Sequence, residues 1–341
     1  MMSSESNATP LCVSVIMPVY NGVEFITKSL PPIIEMLNRD EVLEVIVVDD
    51  GSTDDSMKLA RDMGAQVITS GGRLGPGGAR NQAANSAKGD ILWFVDADVV
   101  VHDDAAQYLV PNFEEPDVVA VFGSYDDEPS ANNFLSQYKN LVHHYYHHGA
   151  RREASTFWAG CGAVRKKAFL DVNGFDVERY SRPSIEDIEL GYRLREAGGR
   201  ILVLPEMKGT HLKVWRLFNL IHTEIFCRAI PWSQLMLSRS GLVDDLNVGV
   251  RERVRAVLAG ALMLSIFAAI ISFSSPWLVV IMFVIVLISN GSLVKFFYRK
   301  KSWFFAIGGL LFHQIYYVYS SAAFAWCWIR NKVGKFKNVA A

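Results

Sequence analysis

Ile91–Asp98 reads ILWFVDAD, in which five apolar residues are followed directly by two carboxylates that flank Ala97. A short apolar run bounded by polar residues predicts a strand that is buried on both faces, as in parallel sheets. We therefore predict a strand over Ile91–Val95. The carboxylates of Asp96 and Asp98 then stand at its carboxyl end, where open α/β sheets bind their ligands.

The same kind of apolar run recurs along the chain and alternates with helical patterns. Strands are predicted at Val13–Val19, Leu43–Val48, Gln66–Thr69, Val118–Phe122, Phe157–Val164 and Ile201–Leu204. Helices are predicted at Glu24–Leu37, Asp54–Met63, Gly77–Lys88, Asn132–His148 and Ile185–Glu196. This alternation predicts an α/β fold, Rossmann-like, with a mostly parallel sheet covered by helices on both faces.

Two carboxylates that flank one residue suit a hard divalent cation. Mg²⁺ prefers oxygen ligands, and Mn²⁺ accepts them as well. A cation held by Asp96 and Asp98 would neutralise charge on the oxygens of a bound diphosphate. Acidic loops are also common at strand ends, so this pair by itself does not identify a site.

Two further loops carry polar residues in patterns that favour nucleotide binding. Asp49–Asp54 reads DDGSTD, and an acidic side chain there can accept a hydrogen bond from a base. Gly71–Asn81 reads GGRLGPGGARN, in which Arg73 and Arg80 add positive charge. Exposed backbone N–H groups at the start of a helix favour anions. Taken singly, a capped helix start and a flexible surface loop explain the two stretches as well.

The order of the motifs is more specific than any one of them. The first motifs along the chain are Pro18-Val19-Tyr20-Asn21, Asp49-Asp50-Gly51-Ser52-Thr53-Asp54, Gly78-Ala79-Arg80-Asn81 and Asp96-Ala97-Asp98. The later ones are Trp158-Ala159-Gly160-Cys161-Gly162-Ala163, Asn173-Gly174-Phe175-Asp176 and Glu186-Asp187-Ile188-Glu189-Leu190. Over about Val13 to Leu237, this series resembles the family-2 glycosyltransferases, inverting enzymes of the GT-A fold that use nucleotide sugars.

The resemblance implies a donor site and a metal site. The implied donor-binding residues are Pro18, Val19, Tyr20, Asn21, Asp50, Gly51, Ser52, Gly78, Arg80, Asp96, Ala97, Asp98, Gly160, Arg228 and Trp232. Within this set Pro18, Tyr20 and Asp50 would contact the base, and Arg80 the nucleotide or its diphosphate. Asp98 would bind Mg²⁺ or Mn²⁺, and Asp96 would face the ribose or the same ion.

The resemblance also implies that Asp187 is the general base that deprotonates an acceptor hydroxyl. In-line displacement needs a carboxylate beside the acceptor, across from the leaving group. Glu186 and Glu189 are close in sequence and would raise the proton affinity of Asp187 by like-charge repulsion. The alternative is an acidic first helical turn that complements the helix dipole.

His211, Arg228 and Trp232 extend the resemblance toward the C-terminus. A histidine from this region completes the metal site in several metal-using relatives, so His211 is a third candidate ligand; a hydrogen-bonded core histidine is the alternative. Arg228 and Trp232 resemble the QxxRW-type motif of membrane-attached relatives. Here the spacing is longer and Glu224 stands near the expected Gln, which puts polymerase-like processivity in doubt.

Three long apolar segments dominate the tail, Val254–Phe273, Trp277–Val294 and Trp303–Ile329. A helix needs about 20 apolar residues to cross a bilayer. Basic residues precede the first segment and follow the second, so the positive-inside rule predicts a cytoplasmic catalytic domain. We expect the third segment to cross as well, although its basic end then breaks that rule; folding back or lying in the interface is the alternative.

Length and composition limit the other classes of protein. The 341 residues carry a formal net charge of -1, which does not favour nucleic-acid binding. The four cysteines form no CxxC pair and fit a reducing compartment. The predicted domains are a polar tail at 1–12, a GT-A domain at 13–210, amphipathic interfacial helices at 211–250, a transmembrane region of about three helices at 251–330 and a basic tail at 331–341.

These patterns together predict an inverting glycosyltransferase of the inner cell membrane. It would move a sugar from a nucleotide donor, expected to be UDP-linked, to a lipid or lipid-linked acceptor. A polyprenyl-phosphate glycosyl synthase and a non-catalytic nucleotide-sugar-binding scaffold are the alternatives. His143–His148 contains two histidine pairs at helical spacing, for which we prefer an acceptor-facing or partly solvated helix over a zinc site.

Overall fold

The computed structural model describes residues 11–239 and 248–334 of the chain. The described residues divide into two compact units. The first contains residues 11–123, 156–177 and 186–209, and the second contains 124–155, 178–185, 210–239 and 248–334. The second unit thus includes two internal segments, 124–155 and 178–185, together with the C-terminal helices.

Strands and helices alternate through the first half of the chain, and helices alone fill its end. The strands are β1 Val13–Val19, β2 Glu44–Asp49, β3 Gln66–Thr69, β4 Ile91–Val95, β5 Val99–Val101, β6 Val118–Tyr125, β7 Glu153–Ala154, β8 Cys161–Arg165 and β9 Arg200–His211. The first helices are α1 Val23–Asn38, α2 Ser56–Asp62, α3 Gly75–Ser86, α4 Leu109–Asn112, α5 Phe134–His148, α6 Lys166–Asp171 and α7 Glu186–Glu196. The later ones are α8 Leu217–His222, α9 Ile230–Ser238, α10 Val250–Ile270, α11 Pro276–Ser289, α12 Gly291–Lys300 and α13 Trp303–Lys332, with a π-helix at Thr223–Ala229 between α8 and α9.

The sheet of the first unit has the order β3-β2-β1-β4-β8-β6-β9-β5. Strands β3, β2, β1 and β4 are mutually parallel, with Val15 opposite both Val45 and Trp93. Strand β8 runs antiparallel to both of its neighbours, β4 and β6. The predicted α/β class is thus confirmed as a mixed sheet that is parallel in its first half. Because β1, β2 and β4 are parallel, their carboxyl ends meet at one edge.

Burial explains which strand predictions hold. All five residues of β4 are buried, as its uninterrupted apolar run predicts. Strand β9 continues to His211, well beyond the predicted Ile201–Leu204. From Glu206 onward exposed or partly exposed residues alternate with buried ones, so a half-exposed strand replaces the apolar run. Gly123 marks a close approach in this sheet, since a Cβ there would lie 1.9 Å from the carbonyl oxygen of Met207.

The second unit packs α5 among the C-terminal helices. Its buried core includes Tyr138, Leu141, Leu293, Phe297 and Leu310. Polar side chains are buried in the same unit and are paired. The carboxylate of Glu252 accepts hydrogen bonds from the hydroxyls of Tyr146 and Tyr317, and the Tyr138 hydroxyl lies 2.7 Å from Nδ1 of His313. Such pairing offsets the cost of burying polar groups.

The helical tail differs from the predicted three spans. Among the described residues α10 is long and apolar enough to cross a membrane, and α11 with α12 would form a second span only if the pair acted as one. The predicted segment Trp277–Val294 breaks at Asn290, where α11 and α12 bend by 69°. Helix α13 is not among the candidates, since His313, Gln314 and three tyrosines interrupt its apolar sequence.

The four cysteines are free, and each unit contains two of them. Cys161 in the first unit and Cys327 in the second are buried. Cys12 and Cys227 are only partly buried. Burial raises the pKa of the Cys161 thiol to about 12. This thiol is therefore protonated at any physiological pH.

Candidate active site

The loops after β1 and β2 are tied to each other. Asn21 has a left-handed backbone with a φ of 46°. Its side-chain Oδ1 accepts a hydrogen bond from the backbone N–H of Thr53 at 2.7 Å. Its own backbone N–H donates to Oγ of Ser52 at 3.1 Å. The two motifs predicted to bind a nucleotide are thus held together at the edge where the parallel strands end.

Asp50 anchors the glycine-rich loop. Its side chain is buried, with 5% exposure. Its carboxylate accepts hydrogen bonds from Oγ of Ser70 at 2.9 Å and from the N–H groups of Leu74 at 2.8 Å and Gly75 at 2.9 Å. These bonds use three of the roughly four lone-pair positions of a carboxylate. The predicted base contact of Asp50 therefore competes with a structural role that the sequence did not indicate.

Arg80 joins two motifs that lie far apart in the sequence. It is placed by α3, whose third glycine, Gly78, packs tightly on Leu74. The guanidinium donates to a carboxylate oxygen of Asp96 and lies 4.0 Å from Oε1 of Glu186. Only 4% of its side chain is exposed. The rings of Phe94 and Phe175 lie 6.0 and 5.4 Å from the guanidinium carbon. The predicted donor contact is thus a buried group that is already paired.

Asp96, Ala97 and Asp98 follow β4 as predicted, and all three are partly buried. The N–H of Asp96 donates to the carbonyl oxygen of Gly160 at 3.1 Å. The carbonyl oxygen of Ala97 accepts a hydrogen bond from Oγ of Ser29 at 2.7 Å. Burial and the neighbouring carboxylates of Asp98 and Asp187 raise the pKa of Asp96, against the opposing charge of Arg80. A divalent cation would relieve this repulsion, so the donor set fits Mg²⁺ or Mn²⁺.

Asp187 stands in the first turn of α7, next to the loop before β8. Its Oδ2 accepts a hydrogen bond from the N–H of Ala159 at 3.2 Å, and its Oδ1 accepts one from the N–H of Ile188 at 2.8 Å. Glu186 is buried with 7% exposure, whereas Asp187 remains partly exposed. The structure therefore brings Asp187 within electrostatic range of Asp96, and it uses Glu186 as a partner of Arg80.

Three predicted site residues belong to the second unit. The ring of His211 stacks on Tyr125 with centroids 4.4 Å apart. Arg228 pairs with Glu224 at 3.2 Å inside the π-helix, and Lys139 pairs with the same carboxylate oxygen at 2.8 Å. Trp232 lies on α9. The predicted roles of these residues beside the donor and the metal stay predictions.

The histidine cluster forms ring stacks. His143 lies on His147, and His144 on His148, with centroids 3.8 Å apart in both pairs. Burial and neighbouring positive charge hold the pKa of His143 well below its usual range. Across residues 11–239 and 248–334, no group of three or more histidine, cysteine, aspartate or glutamate side chains is arranged to hold a metal ion. A metal at Asp96 and Asp98 therefore needs further ligands, such as donor phosphate oxygens.

Two contacts were missed by the sequence reasoning. Asn81, the last residue of the Gly78–Asn81 motif, clamps Phe175: its Nδ2 donates to the carbonyl oxygen and its Oδ1 accepts from the N–H, both at 2.8 Å. Arg73 lies over the ring of Tyr20, with its guanidinium carbon 3.9 Å from the centroid. The first contact spans 94 residues, and no local pattern indicates it. The second joins two motifs that the sequence did single out.

Curated relatives and a solved structure are similar to parts of this chain. "Glycosyltransferase GlyG" of Streptococcus pneumoniae is 29% identical over 36% of this chain and 42% of its own length. "Pre-mycofactocin glycosyltransferase" of Mycobacterium tuberculosis is 28% identical over 57% of this chain and 41% of its own length. The matched part thus spans less than half of either relative. The mannosyltransferase PcManGT of Pyrobaculum calidifontis, solved with GDP-Man and Mn²⁺, aligns over 93% of this chain and 87% of its own, with a TM-score of 0.60 and 19% identity, which shows a shared fold.

Two family descriptions match the sequence itself. Residues 139–214 match the one described as the N-terminal domain of galactosyltransferase. Residues 14–172 match "Glycosyl transferase family 2". The second match covers the motifs from Pro18 to Asp98 and the loop at Gly160, whose geometry is that of a strand-end ligand site. Residues 14–172 are therefore similar in sequence to the family-2 glycosyltransferases, in agreement with the order of the motifs.

Proposed function

We propose that this chain transfers a sugar, with inversion, from a nucleotide-sugar donor to an acceptor held at a membrane. The observation that carries the proposal is that Asp96 and Asp187 are both bonded to the loop before β8: the N–H of Asp96 donates to the carbonyl oxygen of Gly160, and the carboxylate of Asp187 accepts from the N–H of Ala159. Three carboxylates, those of Asp96, Asp98 and Asp187, thus lie in one region of the first unit. Two follow β4, where a donor diphosphate and its cation would be bound. The third stands on α7 and is partly exposed. A displacement with a separate general base requires these two roles, carboxylates that bind the cation and another carboxylate that accepts the proton.

The donor side comprises the loops after β1 and β2 and the start of α3. Tyr20 is 40% exposed there and offers a ring face to a base. Asp96 and Asp98 would hold Mg²⁺ or Mn²⁺, which supplies charge neutralisation to the leaving nucleoside diphosphate. The Mn²⁺ and GDP-Man bound to the mannosyltransferase of similar fold support a metal and a nucleotide sugar. Our proposed donor carries UDP, and GDP is the nucleotide to test against it.

Asp187 is the proposed general base. The N–H groups of Ala159 and Ile188 fix the orientation of its carboxylate. An acceptor hydroxyl in reach of the carboxylate would lose its proton to Asp187 as it attacks the anomeric carbon, and the bond to the diphosphate would break on the opposite face. Glu186 is held by Arg80 and would position the helix turn that presents Asp187.

The second unit supports a membrane acceptor. Few side chains of α10 are buried although the helix is apolar, and several large apolar ones are exposed. Exposed apolar surface of this extent marks a membrane or partner site. We propose that α10 crosses the inner cell membrane with the catalytic domain in the cytoplasm, and that residues 211–239 lie at the interface. As the family resemblance implies, we also propose His211 as a metal ligand and Arg228 and Trp232 as contacts to the donor or acceptor.

The test is a transfer assay on the full chain in lipid nanodiscs. Labelled UDP-sugars and GDP-sugars are supplied with Mn²⁺ or Mg²⁺, and the lipid extract is analysed by mass spectrometry. We expect one sugar to appear on a lipid and the signal to vanish with EDTA. Asp98→Ala is expected to lose at least about 100-fold in rate. Release of no nucleoside diphosphate from any of these donors would contradict the proposal.

The same assay separates the alternatives. A polyprenyl-phosphate synthase uses a phosphate oxygen as nucleophile and needs less of a general base, so Asp187→Asn would retain activity. A scaffold would bind the nucleotide sugar without turnover. The hydroxyl acceptor is the candidate that the fixed carboxylate of Asp187 favours.

A further inference from the structure

The chain has two arginines near the strand-end loops, and their environments differ. Arg80 is buried and paired with Asp96 and Glu186. Arg73 is exposed, in the loop between β3 and α3. An arginine whose N–H groups are already exposed can bind a soluble ligand without first losing a protein partner, and its planar fork suits a phosphate. Arg73 meets that condition, and Arg80 does not.

The loop that carries Arg73 is fixed on both sides. Asp50 holds it through Ser70 and through the N–H groups of Leu74 and Gly75. The turn at Gly51, which has a φ of 86°, lies against the loop, since a Cβ there would be 4.0 Å from the N atom of Arg73. Arg73 therefore sits on a supported loop, and its place beside the end of β2 is set by the Asp50–Gly51 motif.

Arg73 is also supported from β1. Its guanidinium lies over the ring of Tyr20 at 3.9 Å. A guanidinium stacked on an aromatic face keeps its edge N–H groups available for a phosphate or a carbonyl. Tyr20 follows β1, at the edge where the parallel strands end. The pair thus presents a flat cationic surface at the ligand end of the sheet.

We propose that Arg73, stacked on Tyr20, is the arginine that binds the nucleoside diphosphate of the donor, and that Arg80 is a positioning residue. Arg80 holds Asp96 beside Asp98 and, through Glu186, holds the first turn of α7 that carries Asp187. This assignment rests on the proposed function and exchanges the roles that the family resemblance implies. It makes donor affinity depend on Arg73 and turnover depend on Arg80.

Nucleotide binding to the full chain in nanodiscs tests the first half of the assignment. Dissociation constants for UDP and GDP are measured in EDTA, so that metal binding does not contribute. Arg73→Met is expected to raise the constant about tenfold for the nucleotide that the wild type binds, because a charge-assisted contact is lost. Tyr20→Leu should weaken nucleotide binding as well. The double variant should lose less binding free energy than the two single variants lose together, because the two side chains act as a pair. Arg61→Met, an exposed arginine on α2, is the matched control.

Turnover tests the second half. Arg80→Met is expected to leave the dissociation constant in EDTA within about twofold and to lower kcat by about 100-fold with little change in donor KM. Arg80→Lys keeps the charge and should recover part of kcat. If the thermal midpoint shows that Arg80→Met does not fold, Arg80→Lys takes its place in the comparison.

Two results would overturn the inference. The first is that Arg73→Met and Arg61→Met bind the nucleotide with equal dissociation constants. The second is that Arg80→Met, or Arg80→Lys in its place, raises the dissociation constant as much as Arg73→Met does. If the wild type still transfers a sugar in either case, the proposed function stands and only the assignment fails. If the wild type neither binds these nucleotides nor releases them from sugars, the assignment and the proposed donor fail together.

Discussion

The two units of this chain use their buried polar groups for different purposes. In the first, Asp50 and Arg80 hold loops and motifs in place while Asp98 and Asp187 remain partly exposed. In the second, Glu224 and Glu252 join helices to one another and offer little surface to a ligand. The difference teaches that burial of a charged group does not itself mark a reactive site. What separates the units is what the buried charge holds: a loop or a carboxylate of the strand-end site in the first unit, and neighbouring helices in the second.

The largest expected effect lies in the first unit. Asp187→Asn should lower transfer by about 10²- to 10⁴-fold, because the amide cannot take the acceptor proton. Its Oδ1 atom can still accept a backbone hydrogen bond, so the thermal midpoint should stay near that of the wild type. Rates and midpoints are measured on the same preparation. Asp171→Asn, an exposed carboxylate paired with Lys167 on α6, serves as the control.

A fall in both rate and stability for Asp187→Asn would break the comparison, because the first unit would then use an exposed carboxylate to hold its fold. Full activity in that variant would instead favour a phosphate acceptor.

The second prediction concerns Glu224. Burial alone would raise the pKa of this carboxyl, but Lys139 and Arg228 hold it below its usual range. A carboxyl whose folded pKa is lowered stabilises the fold above its unfolded pKa, about 4.3, and loses this effect as the pH falls through the folded value. Glu224→Gln should therefore cost about 3 kcal/mol at pH 7, since it leaves Lys139 and Arg228 without their partner. The difference from the wild type should shrink below about pH 4.

Thermal midpoints in detergent between pH 3.5 and 7 measure this effect. Glu178→Gln, an exposed carboxyl of the same unit, is the control and should change little. A constant difference between Glu224→Gln and the wild type at every pH would mean that the charge of Glu224 does not stabilise the helices.

The smallest expected effect concerns the exposed apolar surface. Phe218 on α8 is 84% exposed, and its ring lies 6.3 Å from that of His222. Phe218→Asp should change the free energy of unfolding in detergent by less than about 0.5 kcal/mol. In anionic nanodiscs it should lower transfer to a lipid a few-fold, because a carboxylate enters the interface poorly. Val177→Asp, in the first unit, is the control. Equal rates for both variants would argue against a bilayer at α8.

Local pattern predicted much of the first unit. Strands β1, β3 and β4 have the bounds that their apolar runs indicate, and the motifs stand at strand ends as expected. The roles of Asp50 and Arg80 were not predictable in the same way. Arg80 pairs with Asp96, which is 16 residues away in the sequence, and Asp50 accepts from Gly75, which is 25 residues away. A pattern of residue types does not say which carboxylate an arginine pairs with.

Hydropathy predicted the helices of the C-terminal tail less accurately. The average hydropathy of Trp277–Val294 is strongly apolar and hides the polar stretch 289–292, at which the helix breaks and the Asn290 side chain donates back to the carbonyl oxygen of Val286. The polar residues inside α13 were visible in the sequence, but their burial against α5, as in the pairing of His313 with Tyr138, was not. Tertiary pairing, which no window of the sequence contains, decides the second case, whereas the first depends on local residues that an averaged hydropathy conceals.

The positions of the four cysteines allow alkylation to measure the local unfolding of each unit. Each unit has one partly buried and one buried cysteine, Cys12 with Cys161 and Cys227 with Cys327. Alkylating reagents attack the thiolate, and the protonated, enclosed Cys161 offers none until its surroundings loosen. The order in which the peptides that contain Cys161 and Cys327 become alkylated therefore reports which unit opens first, without any engineered label.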